Sequence, residues 1–180
     1  MPTARASRTI AAPAQELWEL LRDPHHLPRW WPRVTRVEGV EAHAFTEVMQ
    51  TKKGKWVRAD YDVVRVDESA RVLTWAQRVE GTPFARVLSA AETELRLEPA
   101  SAGGDGGGAG AAVPSRGVSD DAHTAAATEV TIELRQTLAG YSSRHGLLAG
   151  FSPRMGGRMV RRAAQRTVEQ ALDGLERLYG

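Results

Sequence analysis

The chain has 180 residues, no cysteine and a formal net charge of +2 at neutral pH. The missing cysteines exclude disulfides, thiolate nucleophiles, thiolate-held zinc and iron–sulfur clusters together. A charge of +2 is too small for a dedicated nucleic-acid binder, and a domain of this length buries ~70% of its unfolded surface, enough to fold unaided.

Residues 1–10 are polar and lack the apolar core of a signal peptide. No run approaches the ~20 apolar residues that span a bilayer. The expectation is a cytoplasmic protein without a transmembrane segment.

The elements follow from periodicity. Ser7–Ala11 reads as a short strand. Pro13 then opens a helix over AQELWELLRD, with Leu17, Leu20 and Leu21 on one face and Asp23-Pro24 as its stop. A compact HHLPRWWP segment carries Trp30 and Trp31 between Pro28 and Pro32. Strands are expected over Val34–Glu41, Ala44–Thr51, Lys55–Val66, Arg71–Val79, Phe84–Glu98 and Glu129–Leu138.

Residues 99–127 contain seven glycines, nine alanines and no aromatic. Such a stretch cannot bury enough apolar surface to offset its ordering entropy. It reads as a disordered insert at a hairpin tip between the last two strands, within a single domain spanning 1–180.

The end reads as one long helix, with Ser152 as N-cap and Pro153 as first residue, running to about Leu178. One face carries Gly156, Gly157, Val160, Ala163, Ala164, Thr167, Val168, Ala171, Leu175 and Leu178. Its first half is small and its second half large. Small side chains leave space against a sheet that large ones fill. The expected architecture is α+β: about seven antiparallel strands curved around this helix, two short helices between the first two strands, and an internal ligand cavity.

The order of elements and the local wording resemble the START-like SRPBCC superfamily with its helix-grip fold. The nearer resemblance is to the polyketide cyclase/dehydrase and lipid-transport branch. It is carried by RTIAAPAQELWELLRDPHHLPRWWP at Arg8–Pro32, by Trp75–Glu98 with EGTPF and LRLEP, and by MVRRAAQRTVEQALDGLERL at the C-terminus. The resemblance implies an apolar small molecule in a central cavity and, in some members, cyclisation or dehydration there. It supplies no shared catalytic residue.

Chemical motifs are few. Gly104–Ala109 matches a dinucleotide fingerprint in letters but lacks the flanking strand and helix, so it reads as linker. Gly140–Arg144 resembles a nucleophile elbow without its closing glycine and reads as a loop. The five histidines lack a metal-ligand spacing; no metal and no cofactor are expected. Arg158, Arg162 and Arg166 form a ridge that reads as a solvated face, or as a weak contact for a membrane surface or a phosphate-bearing partner. Leu147, Leu148 and Phe151 suggest a lid over the cavity mouth.

Strand alternation nominates the lining. Phe45, Glu47 and Met49 share a face, as do Ala59 and Tyr61, and as do Trp75 and Gln77. Trp30, Trp31, Phe84, Phe151, Met155, Met159 and Ala163 complete the expected ligand-binding set. Glu47 is the candidate catalytic group, since a desolvated carboxyl gains proton affinity and serves as acid or base. Its alternative is a carboxylate that is exposed, or paired with Arg58 or Arg86. The expected function is binding of a lipid, polyketide or isoprenoid-like molecule. A cyclase/dehydratase and a protein-interaction module are the alternatives, and oligomeric state is left open.

Overall fold

The computed structural model describes residues 2–51, 54–100, 126–139 and 153–180, with side chains in the last segment from Gly157 onward. Strand β1 (Thr3–Ile10) leads into helix α1 (Ala14–Arg22), a 3-10 turn at Pro24–His26 and helix α2 (Leu27–Trp30). Strands β2 (Val34–Glu41), β3 (Ala44–Gln50), β4 (Trp56–Asp67) and β5 (Val72–Gln77) follow. A 3-10 turn at Pro83–Arg86 precedes β6 (Leu88–Pro99) and β7 (Thr128–Leu138), and helix α3 (Pro153–Tyr179) ends the chain.

All seven strands form one antiparallel sheet in the order β1-β7-β6-β5-β4-β3-β2. Register shifts interrupt the β2–β3 and β4–β5 ladders and the Leu88 end of the β6–β7 ladder, and such irregularities bend and twist strands. The sheet curves around α3. The two faces sort by chemistry. Arg78–Asp62, Arg58–Glu38 and Arg135–Glu92 pair on the outer face. The inner face carries the core.

Helix α3 packs on β1, β7 and α2. Its large residues Val168, Leu172 and Leu175 are buried with Leu17, Leu21, Leu27, Leu95 and Ile132 in the main core cluster. Burying such a side chain contributes ~1.5–3 kcal/mol. A smaller cluster of Val79, Leu88 and Ala91, with Phe84, Leu138 and Val160 against it, lies apart. The large-to-small gradient along the helix therefore tracks a division of the core.

Some expectations shift. Phe84 lies in a 3-10 turn, not in β6, because Pro83 begins that turn and the Thr82 hydroxyl accepts from the Phe84 amide. The buried arc of α3 runs through Ala164, Val168, Ala171, Leu172 and Leu175, which leaves Ala163 and Met159 exposed. β6 and β7 stay paired to Pro99–Thr128. The connection between them thus sits at a hairpin end, while residues 101–125 lie outside the described residues. The expected lid, with Phe151, and the side chain of Met155 also lie outside them.

Candidate functional site

The site grows from alternation on β3, β4 and β5. Phe45 and Glu47 are both buried, two residues apart on β3. Phe45 is opposite Tyr61 and Glu47 is opposite Ala59, so Tyr61 is the diagonal neighbour of Glu47. Tyr61 is in turn opposite Gln77 on β5. The Phe45 and Tyr61 rings stack at 5.1 Å, and Phe45 meets Trp75 edge-on at 6.0 Å. Trp75 meets Trp31 at 5.8 Å, and Trp31 meets Trp30 at 5.3 Å. Five aromatic rings thus connect α2 to the middle of the sheet.

Glu47 is the anomaly in this wall. It is 1% exposed, and its flanking partners across β2 and β4 are Val37 and Ala59. Neither carboxyl oxygen has a partner at hydrogen-bond geometry. Arg58 is engaged with Glu38 at 2.6 Å, so the expected alternative pairing with Arg58 is not formed. Burial pushes the Glu47 carboxyl up to about 8 from its ordinary 4.5, and the nearby Tyr61 phenol partly opposes this. Burial, followed by the charge of Glu47, holds the Tyr61 phenol well above its usual range. At neutral pH Glu47 is therefore mostly a neutral acid, offering one O–H donor and an acceptor oxygen.

Other polar atoms share this condition. The indole N–H groups of Trp18, Trp30 and Trp75 and the amide oxygen of Gln136 are buried and unpartnered. Buried polar groups are nearly always paired, and leaving one unpaired costs ~1–3 kcal/mol. On β5, β6 and β7 a polar residue sits on the inner face between the two core clusters. Gln77 follows Trp75 and precedes Val79, Thr93 lies between Leu95 and Ala91, and Gln136 lies between Leu134 and Leu138. Gln136 stands opposite Ala91.

The structure brings Trp30, Trp31, Phe45, Glu47, Ala59, Tyr61 and Trp75 into one inner-face wall, with partly buried Met49 packed on the main cluster. Gln77 borders it, and Phe84 belongs to the smaller cluster. Met159, at 61% exposure, and Ala163 are not part of it. Gln136 and Thr93 are members the sequence reading passed over. The signal was available, since Gln136 keeps the inward phase of Val130, Ile132 and Leu134. Among the described residues no cluster of metal-ligating side chains occurs.

A seven-stranded antiparallel sheet wrapped on a long C-terminal helix, with short helices after the first strand, is the helix-grip fold of the START-like superfamily. The chain belongs to the polyketide cyclase/dehydrase and lipid transport family, whose model matches residues 1–180. Similar solved structures include the di-domain ARO/CYC BexL of the BE-7585A biosynthetic pathway, at 20% identity and a TM-score of 0.67. That match covers 98% of this chain but 46% of BexL, so the chain spans about half of that protein. The ZhuI aromatase/cyclase from a Streptomyces species matches at 16% identity and a TM-score of 0.63, covering 98% of this chain and 92% of its own. A START superfamily protein from Mycobacterium smegmatis matches at 12% identity and a TM-score of 0.63, covering 98% and 96%. No curated protein matches the sequence. These likenesses establish the fold. No helix among the described residues is long and apolar enough to cross a membrane.

Proposed function

We propose that the protein binds an apolar small molecule of lipid, polyketide or isoprenoid type between the inner face of the sheet and α3, as a carrier or ligand-binding protein. The observation that carries this reading is Glu47. A carboxyl buried among aromatic rings, with only the Tyr61 phenol near enough to act on it and neither oxygen at full hydrogen-bond geometry, is costly unless something with a complementary polar atom joins it. A few polar groups in an apolar wall are what fixes the orientation of a small ligand. The neutral Glu47 O–H would donate to a carbonyl or ether oxygen, and the rings of Phe45, Tyr61 and Trp75 would cover the apolar body. Native mass spectrometry of the freshly purified chain tests this. An apolar low-mass adduct is expected, and its loss in Phe45→Ala supports the assigned wall. An adduct that Phe45→Ala and Trp75→Ala leave unchanged would place the ligand elsewhere.

A second reading is a cyclase or dehydratase. The pair Glu47 and Tyr61 favours it, because a carboxyl that titrates near neutrality beside a protonated phenol suits general acid–base transfer. The names of BexL and ZhuI point the same way. Under this reading Glu47→Gln abolishes turnover of a poly-β-ketone substrate while ligand binding survives; unchanged turnover removes Glu47 from the chemistry.

A further inference from the structure

A surface cleft of about 370 Å³ opens where α2, the turn into β2 and the C-terminal half of α3 meet. It is lined by Arg29, Arg33, Gln170, Asp173 and Arg177 among others. The three arginines come from three separate segments, and all are exposed. None of them makes an ion pair among the described residues. The one acid of the cleft, Asp173, is already engaged by Arg8, which also reaches Glu176 at 2.7 Å.

Two backbone features build this convergence. Arg33 sits at φ 68°, a left-handed conformation that a long side chain rarely adopts, where asparagine or glycine fits with less strain. Gly174 lets α3 approach α2 so closely that any Cβ there would overlap the Trp30 carbonyl. That approach carries Arg177, less than one turn further along α3, to the same cleft as Arg29 and Arg33.

We propose that this cleft is a binding site for a multiply charged phosphate group. Three guanidinium forks against one carboxylate leave a formal surplus of +2, which favours a multiply charged phosphate group over a singly charged carboxylate. Guanidinium groups bind carboxylate and phosphate through paired N–H donors. A planar carboxylate offers two oxygens, whereas a terminal phosphate offers three to forks arriving from different elements. The Gln170 amide supplies a further donor. The site stands independently of the ligand-binding reading of the inner face.

Isothermal titration of the full chain with inorganic pyrophosphate, and with acetate at matched ionic strength, tests the proposal. One-to-one binding of pyrophosphate is expected, with acetate at least tenfold weaker. Arg33→Asn keeps the left-handed backbone, and Arg177→Gln keeps the helix. Each is expected to weaken pyrophosphate at least tenfold while circular dichroism shows an unchanged fold. Arg161→Gln, on the exposed face of α3, serves as the control and leaves the affinity unchanged. Absence of pyrophosphate binding, or loss of affinity in Arg161→Gln with both cleft variants intact, overturns the assignment. So does co-sedimentation with phosphatidylglycerol vesicles, abolished by Arg161→Gln, in a protein that ignores pyrophosphate.

Discussion

Glu47 and Tyr61 are diagonal neighbours on the inner face of β3 and β4, and their influence on each other is opposite in sign. The phenol lowers the proton affinity of the carboxyl, while the carboxyl raises that of the phenol. Burial outweighs the first effect and reinforces the second, so both groups remain protonated around neutrality.

This has a direct consequence for stability. The folded Glu47 carboxyl titrates at about 8 and the ordinary group at 4.5. As pH rises from 4.5 toward 8, the unfolded chain sheds its proton first. Stability should therefore fall by up to about 1.4 kcal/mol per pH unit over this window and level off above it. Glu47→Gln removes the titration. Urea unfolding at pH 5 and pH 9 should give a variant that gains on the wild type as pH rises; a constant difference would mean that Glu47 is ionised when folded.

Tyr61→Phe isolates the phenol. Without it the carboxyl loses the group that lowers its pKa. The Glu47 carboxyl carbon, followed by 13C chemical shift, should then titrate above the wild-type midpoint. An unchanged midpoint would show that Tyr61 does not reach the carboxyl.

On the outer side the sign reverses. The Ala70 backbone N–H, then Arg65 and Ser69, hold the Asp67 carboxylate down at about 2. Its stabilisation of the β4–β5 turn is present above the ordinary carboxylate range and is lost as pH falls toward 2. Asp67→Asn should lower the thermal midpoint at pH 6 and have little effect at pH 2. An equal loss at both values would deny the carboxylate its role.

Two glycines of α3 should respond in opposite directions. A Cβ at Gly174 would overlap the Trp30 carbonyl, and backbone on both sides has nowhere to move. Gly174→Ala is expected to destabilise by more than ~2 kcal/mol. At Gly157 the nearest atom is the Leu138 Cδ1, 3.8 Å from the Cβ position, which is ordinary contact. Gly157→Ala should gain roughly the ~1 kcal/mol of helix propensity that glycine forfeits. Thermal denaturation of both variants decides the matter.

The fold was legible because its signals are local. Pro13, Asp23-Pro24 and the alternation of EVTIELRQTL place α1 and β7 within a residue or two of their observed bounds. Phe84 was misplaced because Pro83 and Thr82 set a turn inside what reads as a β run. Helical spacing alone puts Ala163 on the inner face and Met159 at its edge. Periodicity gives relative angles around a helix, but the burial of Leu172, set by tertiary packing, rotates the real core-facing arc away from them. Alternation also brought Glu47, Tyr61 and Trp75 onto one wall. It cannot say whether a carboxyl finds a counter-ion, because Arg58 turns to Glu38 on the other face.

The most direct measurement of the central claim is the affinity for 9-fluorenone, a tricyclic ketone with one acceptor oxygen and no titratable group. Quenching of tryptophan fluorescence reports its approach to the wall formed by Trp30, Trp31 and Trp75. Binding should be saturable at pH 6 and weaken at least tenfold as pH rises through about 8, where Glu47 gives up its donor proton. Glu47→Gln, which keeps an N–H donor, should bind with an affinity independent of pH. Absence of saturable quenching, or a pH profile identical in wild type and Glu47→Gln, would contradict the assignment of the inner face as a ligand site built around a neutral Glu47.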